Sequence, residues 1–185
     1  MPLVIFSHTK TQENEYLKQL LKEREWFERE QFSVFSPKNK ADIEQEIVRK
    51  DELLKQKIVQ LQKAWKNIEK NYFDTAKQLH YKKLLPKYTC HISRFGPEGK
   101  YCRPNQLFVR LRTKRDERRA IETIGHELLH LLFADFFEAK RLNYSEREGM
   151  IDALILQSDL PKLFPKYQKQ SIGKVRQKLL KSILT

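Results

Sequence analysis

Apolar residues recur along this chain at intervals of three and four over long stretches and at intervals of two over short ones, which predicts several helices and a few strands. Residues 3–7, with Leu3-Val4-Ile5-Phe6, predict a short strand. Thr9 or Thr11 can cap a helix that carries Tyr16, Leu17, Leu20, Leu21, Trp26 and Phe27 and ends near Gln31. A connector over 33–40, marked by Ser36-Pro37 and Asn39, leads into the longest periodic segment, about 41–84. There Ile47, Leu54, Ile58, Leu61, Trp65, Ile68, Tyr72 and Leu79 form an apolar seam long enough to resemble a coiled coil. A seam of this kind serves as a partner-binding or inhibitory arm, or as one arm of an antiparallel helical hairpin with residues 12–31; the hairpin is the preferred expectation.

Pro86 closes this helical half, because proline cannot continue a helix. Tyr88 to Arg94 and Gln106 to Arg112 are rich in β-branched and aromatic residues and predict two strands. Between them, 95–105 holds two of the chain's five glycines and predicts a long hairpin-like excursion. Asp116 is the expected N-cap of a helix from about Glu117 to Phe136, whose middle (Ile121, Ile124, Leu128, Leu129, Leu131, Leu132, Phe133) is so apolar that the helix must be central. Ser145 is the expected cap of a further helix over Glu146 to Leu156. After Pro161 and Pro165 a basic amphipathic helix, about 171–184, closes the sequence. The fold class expected is α+β, divided into a mainly helical extension over 1–84 and a second unit over 85–185.

Composition changes this picture little. The 185 residues suffice for a real core. A formal charge of +13 admits an acidic partner, nucleic acid included, but the basic residues are interleaved with Glu and Asp as on a solvated helix face. A basic helical interaction or nucleic-acid-binding protein, with a structural or vestigial metal site, is therefore the alternative rather than the first expectation. Two cysteines, Cys90 and Cys102, are too few for a disulfide framework and read as free thiols. The N-terminal apolar run is too short for a signal-peptide core, and no stretch approaches the roughly 18 apolar residues of a membrane span. A cytoplasmic location, with no membrane partner, is the expectation.

The chemistry lies in the central helix. His126 and His130, four residues apart, stand one turn above each other on one helix face, close enough to share a metal ion. Glu127, directly after the first histidine, is set to one side of that face, where it can take a proton from a metal-bound water instead of ligating. Two core histidines with a stray Glu would instead bury three polar side chains at large cost. A catalytic zinc site needs a third protein ligand, and Glu146 and Glu148 both lie on the next predicted helix.

Thr123 through Leu132 resembles the extended zincin peptidase pattern at every position: Thr, an uncharged residue, any residue, His-Glu, two uncharged residues, His, then an uncharged and a hydrophobic residue. Phe133 and Phe136 stand where a metzincin has a glycine and its third ligand, and neither cysteine has the setting of a deformylase ligand. Glu148-Gly149-Met150-Ile151-Asp152, eighteen residues beyond His130, is similar to the Glu-x-x-x-Asp of the gluzincins. With the preceding Phe95-Gly96-Pro97 loop and its flanking strands, residues from about 85 to 160 resemble the minigluzincins, small relatives of thermolysin-like peptidases.

That resemblance implies a zinc-dependent metallopeptidase acting on a peptide or protein substrate. Glu127 would be the general base, His126, His130 and Glu148 the zinc ligands (Glu146 being the competitor), and Asp152 the acceptor of the free imidazole N–H of His126. It implies a zincin-like domain in which a small twisted sheet packs on the motif helix and a glutamate helix. The edge strand, Gln106 to Arg112, would pair with substrate, and the terminal segments would hold the enzyme latent. Tyr144, His91 and Tyr167 are candidates for stabilising the oxyanion, and self-association is left open.

Overall fold

A computed structural model describes residues 1–29, 34, 52–79, 84–169 and 173–184. The expected connector over 33–40, Val34 apart, and the first part of the expected 41–84 helix, with Ile47, lie outside the described residues. The architecture is α+β. Four strands, β1 (Leu3–Ser7), β2 (Lys87–Ser93), β3 (Gly99–Cys102) and β4 (Gln106–Arg110), form one sheet in the order β1-β2-β4-β3. β2 runs parallel to both β1 and β4, and only β3 is antiparallel to its neighbour β4. The described helices are α1 (Lys10–Lys22), α2 (Arg24–Arg29), α3 (Glu52–Gln78), α4 (Lys114–Ala139), α5 (Tyr144–Gln157) and α6 (Gln177–Leu184), with a 3-10 turn at Leu160–Lys162.

Strand alternation assigns the two faces of the sheet. Val4, Tyr88, Cys90, Ile92, Leu107 and Val109 join the main core with α3, α4 and α5. Phe108 points the other way, where the Tyr16 ring of α1 stacks on it at 4.4 Å and His91 at 4.8 Å. There Tyr16, Leu17, Leu20, Phe27 and Phe95 make a second, smaller cluster.

The structure thus replaces the expected hairpin of residues 12–31 with 41–84. The α3 seam (Leu54, Ile58, Leu61, Trp65, Tyr72) is buried as its spacing requires, but its partners are α4 and the sheet. The Tyr72 hydroxyl donates to the Gly125 carbonyl at 2.7 Å, and Glu69 accepts from the Val4 backbone N–H. Since β1 pairs with β2 and α3 shares the core of α4, the described part of 1–84 is built into the second unit rather than appended to it. An amphipathic stripe says that a face is buried, not against what.

Three local expectations are also corrected. The strands near 88–94 and 106–112 are parallel neighbours; the hairpin is β3–β4, inside the stretch read as an excursion. The edge strands are consequently β1 and β3, not Gln106 to Arg112. Helix α4 is capped by Thr113, and Asp116 occupies the third helical position of a reciprocal capping box; α5 is capped likewise by Asn143 with Glu146, not by Ser145. Helical structure at the C-terminus begins at Gln177, after a non-helical run from Gly173 to Arg176.

Asp116 does more than cap. Its carboxylate is buried against the Arg110 guanidinium at 2.9 and 3.1 Å, and Arg110 also donates to the Gly96 carbonyl, tying β4 to the start of α4. Burial alone would raise the Asp116 carboxyl, but Arg110 and the backbone N–H groups of Thr113 and Arg112 outweigh it and hold it below its ordinary value. A carboxyl lowered by folding stabilises above its unfolded pKa, and that contribution is lost as the pH falls through the lowered value. Asp116→Asn leaves Arg110 buried without its counter-charge and is expected to cost about 3–5 kcal/mol at neutral pH. The difference should shrink below about pH 4, where the unfolded carboxyl also takes up a proton. Urea titrations at both pH values check this; a neutral-pH cost under about 1 kcal/mol, the level of an exposed pair, would refute it.

Candidate metal centre

Helix α4 carries the motif through the middle of the protein. Ile124, Leu128, Leu129 and Leu132 anchor it in the core, and His126, Glu127 and His130 are buried with them. Helix α5 brings Glu148 and Asp152, four residues apart and both buried, to the same place. The C-terminal segment crosses α5 closely at Gly149: a Cβ there would lie 2.7 Å from the backbone carbon of Gly173. Beside it the Lys174 N–H donates to the Ser145 carbonyl at 3.2 Å, and Arg176 forks onto the Glu146 carboxylate at 2.6 and 3.0 Å.

Two imidazole nitrogens and the two oxygens of one carboxylate converge. His126 Nε2 lies 3.1 Å from Glu148 Oε2 and 3.1 Å from His130 Nε2, which in turn lies 3.1 Å from Glu148 Oε1. Ligands of a tetrahedral zinc at ~2.0–2.1 Å stand about 3.3 Å apart, close to the 3.1 Å between neighbouring donors here, and one atom from each of the three residues lies within 4.8 Å of the others. Among the described residues these three form the one His/Cys/Asp/Glu group able to hold a metal. Glu146 does not belong to it; its carboxylate serves the α5 cap and Arg176.

Proton positions make the same demand. The Tyr167 hydroxyl lies 2.6 Å from Asp152 Oδ1 and 2.8 Å from His126 Nδ1. Because a carboxylate only accepts, the phenol donates to Asp152 and its oxygen takes the Nδ1–H of His126. His126 Nε2 then presents a lone pair to the Glu148 carboxylate, an arrangement that holds only with a cation between them, whether proton or metal. The electrostatics agree. Burial lowers the His126 pKa, but Glu148, Glu127 and Asp152 outweigh it and raise it. Burial likewise opposes the charge on Glu148, yet His130 and His126 hold its carboxyl far below the usual range. His130 itself is lowered by burial.

Glu127 stands beside this cluster and outside it. Burial first, then the charges of Glu148 and Glu98, push its pKa up to about 8, against the lowering by His126. Strand β3 presses on it: a Cβ at Gly99 would collide with Glu127 Oε1 and lie 2.7 Å from Thr123 Cγ2, so only glycine fits there. A cavity of about 410 Å³ opens over Glu127, His126 and Glu148, with Tyr144, Tyr101 and the α2 aromatics Trp26 and Phe27 on its walls.

The three oxyanion candidates separate. Tyr144 lines this cavity, Tyr167 lies behind His126, and His91 is on the far face of the sheet against Phe108. Asp152, expected to accept directly from His126, is 3.8 Å from its Nδ1 and meets it through Tyr167. Two contributors left no mark in the sequence pattern: Tyr101, stacked on His130 at 4.8 Å and 9°, and the α2 wall. Tyr101 lies in a glycine-rich stretch and α2 is far away in the chain, so only the folded arrangement reveals them.

Both cysteines are free, as expected, with Cys90 buried and Cys102 exposed. No helix among the described residues is long and apolar enough to cross a membrane. In comparisons with known proteins, no family model, curated protein or solved structure matches the chain.

Proposed function

We propose that the chain is a zinc-dependent metallopeptidase of the gluzincin type, with His126, His130 and Glu148 as zinc ligands and Glu127 as general base. The observation that carries this reading is the cluster of two imidazoles and one carboxylate, with 3.1 Å between neighbouring donors, and a second, unligating carboxylate beside it in an open cavity. Softer metals that prefer thiolate are disfavoured by a His-His-Glu donor set, which suits zinc.

Bound there, zinc supplies Lewis acidity toward a carbonyl and brings the pKa of a water toward about 7. Glu127 takes the proton of the attacking water and passes it to the leaving amine. The Tyr144 hydroxyl, on the same cavity wall, donates to the oxyanion that develops on the carbonyl. An extended peptide would lie along β3, the edge strand whose Gly99 borders Glu127, and gain main-chain hydrogen bonds by strand addition. As for latency, the described part of the C-terminal segment packs against α5, with Leu180 and Ile183 in the core, whereas α2 lines the cavity. On this reading self-inhibition comes from the N-terminal side, where α2 borders the cavity.

The test is elemental analysis of the purified chain together with cleavage of a broad peptide library. About one zinc per chain, abolished in His130→Ala, and zinc-dependent cleavage are expected. A chain that binds no zinc overturns the whole reading, and a zinc-loaded chain that cuts nothing overturns the peptidase part.

A further inference from the structure

We propose that Tyr167 is a positioning residue for the metal site: its hydroxyl transmits the hold of Asp152 onto His126 and so fixes the tautomer and ring orientation in which His126 Nε2 meets zinc. This rests on the zinc-site reading above but not on peptide hydrolysis. The geometry is a chain of two short contacts, 2.8 Å from His126 Nδ1 to the phenol oxygen and 2.6 Å from there to Asp152 Oδ1, while the direct separation of imidazole and carboxylate is 3.8 Å. At 3.8 Å there is no hydrogen bond. The carboxylate can set the tautomer only through the phenol.

The two imidazoles are held by different means. His130 is oriented by the Tyr101 ring stacked on it, and its buried Nδ1 has no hydrogen-bond partner among the described residues. Hydrogen-bonded control of a ligand tautomer therefore falls on the His126 side alone. Tyr167 is well placed to exert it. Its backbone N–H donates to the Phe164 carbonyl at 3.0 Å, and the buried Phe164 ring packs against Gly125, one residue before His126. Its own ring lies within 19° of parallel to the His126 ring. Imidazole and phenol are thus both fixed to one stretch of α4. The phenol oxygen accepts the hydrogen bond of Nδ1–H, so His126 keeps that proton and meets zinc as a neutral imidazole through Nε2.

The experiment is zinc affinity, read by competition with a chromophoric chelator, for the full chain and for Tyr167→Phe, Asp152→Asn and the double variant. Tyr167→Phe keeps the ring and removes only the relay oxygen. Each single variant is expected to bind zinc about 10–100-fold more weakly. The double variant should be no weaker than the weaker single one, because both interrupt one relay. Additive losses, or a Tyr167→Phe affinity within about twofold of the parent, overturn the proposal. Thermal melting of the metal-free variants shows whether they fold.

A measurement on the parent protein needs no variant: in the zinc-loaded chain the Nδ1 proton of His126 should be visible by ¹H–¹⁵N NMR and slow to exchange. Fast exchange overturns the relay. If the parent binds no zinc, this proposal and the zinc reading fall together; if it binds zinc without cleaving peptides, only the peptidase reading falls.

Discussion

Glu127→Gln is expected to lower kcat/KM for any cleaved peptide by about 10²–10⁴-fold, the range contributed by a positioned general base, while zinc content stays at the parent level. The carboxylate lies beside the donor cluster and is not one of its members. The substitution is nearly isosteric, which matters here because Gly99 stands so close to this side chain that a Cβ there would collide with it. An amide of the same shape keeps that contact and can still hold a water, but it cannot accept its proton. The paired measurement is steady-state hydrolysis and elemental analysis on the same preparation. Full activity in Glu127→Gln would assign the proton transfer to another group, and loss of zinc would place Glu127 among the ligands.

What the sequence disclosed of this site follows from helical spacing. His126 with His130, and Glu148 with Asp152, each stand four residues apart, and a four-residue step fixes a shared face whatever the tertiary structure. The same step favours Glu148 over Glu146, which has Met150 and not a carboxylate four residues on; what the sequence does not show is how Glu146 is used, in the α5 capping box and by Arg176, a contact across thirty residues. Asp116 and Ser145 stand nearer the apolar runs than the true caps Thr113 and Asn143, because each helix begins with a polar turn that the apolar pattern does not mark. Strand β3 is four residues of partial exposure without clear alternation, so nothing local separates it from a loop. With β3 hidden, the sheet order and one true edge were hidden too. Tyr101 is a single aromatic on the short strand β3 and Tyr167 one in an irregular stretch, and their contacts with His130 and His126 exist only through the packing of β3 and the 160–169 segment around α4.

The second large effect concerns the metal. Glu148→Ala removes one member of the cluster and leaves two imidazole nitrogens facing each other at 3.1 Å with no anionic ligand. Sharing the ~10–16 kcal/mol of a structural zinc site among its four ligands gives a loss on the order of 10²–10³-fold in zinc affinity for one ligand. Stability should follow. Because zinc binds the folded chain, free ion at 100 times its dissociation constant adds about 2.7 kcal/mol. A strong chelator is therefore expected to lower the parent's Tm, and to leave that of Glu148→Ala unchanged at the same zinc concentration. The control is Glu146→Ala, which breaks the α5 capping box and the Arg176 pair at the cost of about 1 kcal/mol typical of a lost helix cap. That variant should lose stability with and without chelator alike and keep its zinc, since Glu146 touches neither histidine in the structure. The opposite pattern, zinc lost in Glu146→Ala and kept in Glu148→Ala, would mean that α5 presents a different face to α4 from the one that brings Glu148 to His126 and His130. Chelator sensitivity thus tests the ligand assignment and the seating of α5 together, because a carboxylate can complete the cluster only from a helix held at that distance.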